Sequence, residues 1–90
     1  MLDISRSAHK FLDKLQQPKH YKQIASKILS LLKNPKPSDS KHLSGYSGYF
    51  RVDSREYRII YTITNLVINV VLVGKRNDDE VYKKMSRTNA

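Results

Sequence analysis

The spacing of apolar residues changes near the middle of the chain, and this change constrains the fold more than any other feature. Before residue 34 the apolar positions recur every three to four residues, which is the period of an α-helix. After residue 44 they alternate with polar positions, which is the period of a β-strand. The segment 34–44 holds two prolines and is typical of a loop. The pattern therefore predicts an α+β chain with its helices before its sheet.

Two short helices are predicted in the first third of the chain. The first covers about 5–15, and the second begins near Pro18, which is tolerated in a first helical turn. Their apolar stripes are Ala8, Phe11, Leu12 and Leu15, then Tyr21, Ile24, Ala25, Ile28, Leu31 and Leu32. We expect a helical hairpin with one shared apolar side. Residues 2–4 are predicted as a short strand ahead of it.

Three strands are predicted in the second half, over 46–52, 57–63 and 66–73. The short links 53–56 and 64–65 join them as hairpins, so they should form an antiparallel meander. After Gly74 the acidic run 78–80 is favourable at the start of a short final helix, which we expect to end near Met85, with a frayed tail from residue 86. The chain is thus predicted to be one domain over 1–90, with a helical hairpin packed on a small antiparallel sheet.

The charge of the chain favours a polyanion as partner. Seventeen Lys and Arg against eight Asp and Glu give a net charge of +9, which is typical of nucleic-acid binders and also of highly soluble surfaces. The chain has no cysteine, which excludes disulfides and cysteine-based zinc sites. Its longest apolar stretch, 66–73, is far shorter than the roughly 20 residues of a membrane helix. We expect a cytoplasmic protein that does not contact membranes.

A pair of arginines marks a candidate site on the sheet. A four-residue turn over 53–56 sets Val52 opposite Tyr57, and therefore Arg51 opposite Arg58. Both arginines then share the exposed sheet face with Tyr49, away from the helices. Like charges directly across a hairpin repel each other, so the pair favours an anion between them. The alternative is that both side chains extend into water.

Two further residues are predicted to join this site. Arg76 follows the third strand, whose end should return beside the first hairpin, and Tyr82 lies six residues later on the final helix. Tyr82 either faces the same cavity or is a core aromatic residue. Guanidinium groups bind phosphate and stabilise a pentacovalent phosphorane. RNA carries its own nucleophile, the 2′-hydroxyl, so a protein needs mainly to position it and to move protons.

The sequence offers no other catalytic group for this chemistry. His9, His20 and His42 all fall in the helical region or the loop, and we expect them to be solvated surface residues. Tyr82 is therefore the remaining candidate for proton transfer. No Gly-rich phosphate loop and no metal-ligand spacing is present, so neither a cofactor nor a metal is predicted.

The segment 43–82 closely resembles the RelE branch of the RelE/ParE toxin superfamily. The resemblance lies in Tyr-Phe-Arg-Val, Glu-Tyr-Arg-Ile-Ile-Tyr, Val-Gly-Lys-Arg and Glu-Val-Tyr, and the helical hairpin before them fits the same plan. It implies a toxin of a type II toxin–antitoxin pair that enters the A site of the 30S ribosomal subunit, among ribosomal RNA, and cleaves the messenger RNA there. It also implies a cognate antitoxin protein that wraps the toxin and blocks it.

The resemblance assigns roles to four residues. Arg58 and Arg76 match the arginines that stabilise the phosphate, and Tyr82 matches the catalytic tyrosine. Arg51 stands where the family has a catalytic lysine, so the charge is kept while the shape of the cation differs.

Three more residues are expected to contact RNA. Tyr49 stands where such toxins often have a second lysine, and its ring is suited to stacking on a base. Lys75 and Arg55 are candidates for RNA contact through their charges; for Lys75 the favoured alternative is a solvated side chain. Two alternatives remain: a ParE-like toxin that inhibits gyrase without cutting RNA, and an inactive RNA-binding relative, which the tyrosine at position 49 would explain.

Overall fold

The computed structural model describes residues 1–77 and 80–88. The elements in that part of the chain, in order, are β1 (Leu2–Ile4), α1 (Arg6–Lys14), α2 (Pro18–Lys33), β2 (Lys41–His42), β3 (Phe50–Ser54), β4 (Tyr57–Thr64), β5 (Val67–Lys75) and α3 (Glu80–Thr88). The α+β prediction is confirmed, with a helical hairpin ahead of the meander and a short helix after it. Asp78 and Asp79, predicted at the start of the final helix, lie outside the described residues.

The sheet is mixed and has five strands, in the order β1-β5-β4-β3-β2. Its three central strands form the predicted antiparallel meander. The edge strand β1 pairs with β5 in parallel. The two-residue β2 lies in the segment that was predicted as a loop, and it forms the opposite edge by antiparallel pairing with β3. β3 begins four residues later than predicted, because two turns occupy the segment 44–49.

Helices α1 and α2 cover one face of the sheet because each buries one apolar side. Their core side chains are Ala8, Leu12, Ile24, Ile28 and Leu31, packed against Phe50, Val52, Tyr57, Ile59, Tyr61, Ile68, Val70 and Val73 of the strands. Ser5 caps the start of α1 through its side chain, and Pro18 lies in the first turn of α2 as predicted. Tyr21 and Leu32 do not join this core and are 45% and 41% exposed, since they lie on the flank of α2.

Helix α3 covers much of the opposite face, which the sequence analysis expected to be exposed. Val81 and Met85 are buried there against Ile60 and Leu72 of the sheet. The helix continues to residue 88, beyond the predicted end near Met85, so the expected frayed tail is helical at least that far. The arginines of this face therefore lie at the margin of a second small core.

The loop between α2 and β3 is fastened to the body of the fold by two polar contacts. The fully buried Tyr61 donates a hydrogen bond of 2.7 Å from its hydroxyl to the Pro35 carbonyl. Burial raises the pKa of the Tyr61 phenol, so the hydroxyl keeps the proton that it donates. At the surface, Lys27 Nζ and Asp39 Oδ2 form an ion pair of 2.7 Å, and this hydrogen bond lowers the pKa of Asp39.

The hairpin between β3 and β4 is tighter than predicted. Its turn contains two residues, Arg55 and Glu56, so Ser54 is opposite Tyr57 where Val52 was expected. Arg55 adopts a φ of 55°, a left-handed conformation that closes the chain within two residues. The alternation of apolar and polar residues does not predict that Arg55 adopts a left-handed conformation.

The tighter turn shifts the pairing by two residues. Arg58 is opposite Asp53, and Arg51 is opposite Ile60, so the predicted pairing of Arg51 with Arg58 was wrong. Side chains alternate between faces with a period of two, so an even shift leaves each on its predicted face. Arg51 and Arg58 therefore still share a sheet face, and a carboxylate stands where the second arginine was expected.

Candidate active site

Arg58 is held by the carboxylate directly across the hairpin. Its Nε lies 2.8 Å from Asp53 Oδ1, and its Nη2 lies 3.5 Å from Asp53 Oδ2. The side chains are 13% and 33% exposed, respectively. Two parallel contacts from one carboxylate fix the plane of a guanidinium as well as its position. Arg58 is therefore an oriented cation at a half-buried position.

Arg76 reaches the same carboxylate from the other end of the meander. Its backbone N–H donates to the Glu56 carbonyl at 2.9 Å, which anchors the chain after β5 beside the β3–β4 turn. Its Nη1 then lies 3.9 Å from Asp53 Oδ2. With 45% of its side chain exposed, Arg76 is the more accessible of the two arginines. The antiparallel meander thus brings together two cations that are 18 positions apart in the sequence.

Tyr82 borders this cluster from α3. The Arg58 Cζ lies 6.0 Å from the centroid of the Tyr82 ring, at the outer range of a cation–π contact. The ring is also partly buried against the second core, next to the fully buried Val81. Tyr82 therefore combines both readings made from the sequence, since its ring packs at the core margin and adjoins the arginine.

Arg51 and Tyr49 lie further along the same side of the sheet. Arg51 precedes Asp53 by two positions, pairs with Ile60 and, on its other side, with Lys41 of β2. Tyr49 lies just before β3, is half-buried against the second core, and meets the Tyr46 ring edge-on at 6.2 Å. Neither residue belongs to the cluster around the carboxylate.

Lys75 and Arg55 lie away from that cluster. Lys75 is opposite Tyr57, so it belongs to the helix side of the sheet, whereas Arg55 is exposed in the β3–β4 turn. Lys75 lines a depression of about 620 Å³ between α1, α3 and the end of β5. We call this depression the lysine groove; its lining residues are Ser7, Lys10, Phe11, Lys14, Leu15, Tyr57, Lys75 and Lys84.

Asp53 is the site residue that sequence reasoning missed. It was assigned to a four-residue turn, where its side chain had no specific partner. The signal that would have found it is alternation: Arg51, Asp53 and Arg58 fall on one face once β3 is extended to Ser54. A carboxylate between two arginines leaves this group of three side chains with one net positive charge.

The three histidines take no part in the cluster. His20 was expected to be solvated, but it is half-buried, and its Nδ1 lies 2.8 Å from the Tyr57 hydroxyl. This contact belongs to the helix side of the sheet. His42 lies against the Phe50 ring, and His9 is exposed on α1. Among the described residues, no three His, Cys, Asp or Glu side chains form a group that could hold a metal ion.

The cluster formed by Arg58, Arg76, Asp53 and Tyr82 is suited to binding a phosphate group. Arg58 and Arg76 supply planar donors from β4 and from the turn after β5, and such donors match the oxygens of a phosphodiester. The Tyr82 hydroxyl adds a group that either donates or accepts a hydrogen bond.

No helix in the described part of the chain has the length and apolarity needed to cross a membrane.

The fold is that of a small toxin class, and a family model identifies the class. The model of the ParE toxin of type II toxin–antitoxin systems, parDE, matches residues 2–80. The chain belongs to this family. No curated protein matches the sequence at a significant level.

The chain is also similar to solved structures of RelE toxins, which is consistent with the RelE branch of the RelE/ParE superfamily. The isolated Escherichia coli RelE toxin is 26% identical, with a TM-score of 0.73 over 100% of this chain and 98% of that one. A double arginine-to-alanine mutant of E. coli RelE in the free state is 26% identical, with a TM-score of 0.78 over 98% and 95%. A chain of the intact E. coli RelBE toxin–antitoxin complex is 27% identical, with a TM-score of 0.72 over 86% and 96%. The protein is a type II toxin of the RelE/ParE family.

Proposed function

We propose that this toxin is a metal-independent endoribonuclease that cleaves messenger RNA in the ribosomal A site. The observation that carries the proposal is the approach of Arg58 and Arg76 to one carboxylate beside the ring of Tyr82. Two guanidiniums on a half-buried surface are suited to the extra negative charge of a phosphorane. The resemblance of Val-Gly-Lys-Arg and Glu-Val-Tyr to RNA-cutting toxins supports the same chemistry.

In the proposed reaction the RNA supplies its own nucleophile. The 2′-oxygen attacks the adjacent phosphorus, the bond to the 5′-oxygen breaks, and the products are a 2′,3′-cyclic phosphate and a 5′-hydroxyl. Arg58 and Arg76 bind the non-bridging oxygens as negative charge develops on them. The 2′-hydroxyl loses a proton as it attacks, and the departing 5′-oxygen takes one up. We assign one of these two transfers to the Tyr82 hydroxyl and the other to water, and a supporting positive charge to Arg51.

The ribosome is proposed to complete the site. The described cluster has no histidine, so the protein offers free RNA little acid–base help. A programmed A site would hold the 2′-oxygen in line with the bond that breaks, and such positioning contributes much of the rate in reactions of this kind. Tyr49, Arg55 and Lys75 are proposed to contact the messenger or ribosomal RNA. This activity belongs in the cytoplasm, where ribosomes are.

An antitoxin protein is the other proposed partner. The E. coli relative was solved in an intact RelBE toxin–antitoxin complex, and further RelE proteins were solved with RelB. We propose that a cognate antitoxin binds this toxin and keeps RNA from the arginine cluster. A basic surface of this kind favours an acidic partner segment.

The proposal is tested by incubating the purified toxin with messenger RNA alone and with ribosomes programmed with the same messenger. Cleavage that requires the ribosome and yields cyclic phosphate ends is expected. Efficient cutting of naked RNA would contradict the ribosome requirement. A parallel assay of gyrase supercoiling tests the second candidate, which the ParE family match favours: inhibition of gyrase without RNA cleavage would replace the present proposal.

A further inference from the structure

We propose that Asp53 is a positioning residue of this site. Its carboxylate orients Arg58 for the reacting phosphate, and its negative charge weakens the binding of RNA in the ground state. The expected effect of Asp53 on cleavage rests on the proposed function. The expected effects of Asp53 on the order of Arg58 and on anion binding do not depend on that function.

The contacts of Arg58 explain the orienting role. Asp53 engages one edge of the guanidinium through Nε and Nη2, and the Tyr82 ring lies near its face. An arginine side chain free in solvent samples many rotamers, and each has to be given up when a phosphate binds. Asp53 removes that freedom before RNA arrives. Arg58 is therefore set for the transition state in advance, which is the condition for strong electrostatic stabilisation.

The same carboxylate affects the second arginine. Asp53 Oδ2 lies 3.9 Å from Arg76 Nη1, so one anion stands between cations that would otherwise repel each other. It also lowers the net charge of the three side chains from +2 to +1. A phosphate is consequently attracted less strongly than it would be by two unpaired arginines. Both carboxylate oxygens are engaged with arginine, so we assign Asp53 to positioning and leave proton transfer to Tyr82.

The test uses Asp53→Asn, which removes the charge and keeps the shape, and Asp53→Glu, which keeps the charge. Asp39→Asn is the matched control, because it removes one carboxylate from a surface ion pair outside the cluster. Three quantities are measured on each protein: the order of the Arg58 Nε–H bond by ¹⁵N relaxation, the affinity for a single-stranded RNA with 2′-deoxyribose at the cleavable position, and the single-turnover rate on programmed ribosomes. Thermal unfolding confirms that each variant is folded.

Asp53→Asn should loosen the Arg58 Nε–H bond and tighten RNA binding by about fivefold, which corresponds to one screened charge at close range. It should also slow cleavage by roughly 10- to 100-fold, the range expected from a misplaced catalytic group. Asp53→Glu should retain the parental affinity and recover part of the order and rate. Asp39→Asn should keep the parental order at Arg58 and the parental rate.

Three outcomes would overturn the inference. One is an Arg58 Nε–H bond as ordered in Asp53→Asn as in the parent. Another is tighter binding with faster cleavage, which would make Asp53 a simple obstacle to RNA. The third is an Asp53→Glu protein that is folded yet has lost all order at Arg58. If the parent toxin itself cuts no RNA, the proposed function fails, and the relaxation and affinity measurements still decide the role of Asp53.

Discussion

The arginine cluster and the lysine groove lie at the same end of the sheet, but they hold their charges in different ways. In the cluster, Arg58 is 13% exposed and bound on one edge by Asp53. In the groove, Lys84 Nζ lies 4.9 Å from the Phe11 ring centroid and 3.4 Å from the Val73 carbonyl. A guanidinium is a rigid fork with a fixed plane, whereas an ammonium is a point charge on a flexible stem.

This difference separates two tasks of an RNA-cutting protein. Lowering the barrier needs charges that are fixed in the geometry of the transition state, because only interactions stronger there accelerate the reaction. Attracting RNA needs only positive charge near the backbone, since phosphate contacts act through counterion release and tolerate loose geometry. We therefore expect the arginine cluster to govern the cleavage rate and the lysine groove to govern affinity.

Arg76→Ala should produce the largest effect. It removes a charge-assisted donor to the phosphorane, so the single-turnover rate on programmed ribosomes should fall by about 10²–10³-fold. Arg6→Ala removes the same charge from an exposed position on α1 and should leave the rate near that of the parent. Equal rates for the two variants would show that Arg76 contributes no more to cleavage than an exposed surface charge does.

Tyr82→Phe should have the second-largest effect. Its cleavage rate should be lower by roughly 10²-fold, which is near the lower end of the range expected when a proton-transfer group is removed. The variant keeps the ring at the core margin and deletes only the hydroxyl, so ribosome affinity should stay close to that of the parent. Tyr21→Phe, which removes a hydroxyl from an exposed position on α2, is the control. Cleavage by Tyr82→Phe at the parental rate would make this tyrosine a purely structural residue.

The sequence predicted what depends on local periodicity. The helices α1 and α2, the three strands of the meander and the face of each arginine follow from apolar spacings of 3.6 and 2. Faces were correct even though the register was wrong, because an error of two residues preserves the alternation of side chains. The position of Arg76 beside the first hairpin follows equally from antiparallel connection.

What the sequence did not predict depends on single conformations and on contacts between distant elements. The pairing of Arg58 with Asp53 depends on the left-handed Arg55, a conformation that arginine seldom adopts. The cover that α3 gives to the second sheet face depends on where Val81 and Met85 dock. The docking of α3 is set by tertiary packing and the conformation of Arg55 by the two-residue turn, so neither follows from local periodicity.

Combined Lys10→Gln and Lys14→Gln substitutions should have a smaller effect, and of a different kind. Binding of single-stranded RNA should lose about 1.4 from the slope of log affinity against log salt, or roughly 0.7 for each phosphate contact removed. The cleavage rate at saturating toxin should stay near that of the parent. Lys22→Gln with Lys33→Gln removes the same charge from the exposed side of α2 and is the control. A slower reaction with an unchanged salt slope would assign the groove to chemistry and contradict the comparison.

Arg51→Lys should have the smallest effect, and it tests the boundary between the two regions. Arg51 shares the face of Asp53 but pairs with Ile60 and Lys41, outside the contacts that fix Arg58. If Arg51 supplies only positive charge, a lysine should serve as well, and the single-turnover rate should equal that of the parent or exceed it. A rise is expected if the lysine pKa is depressed enough for proton transfer, which a guanidinium cannot perform. Arg51→Gln removes the charge and should slow cleavage. A rate for Arg51→Lys as low as that of Arg51→Gln would show that the planar fork is required, and Arg51 would then belong with the oriented arginines.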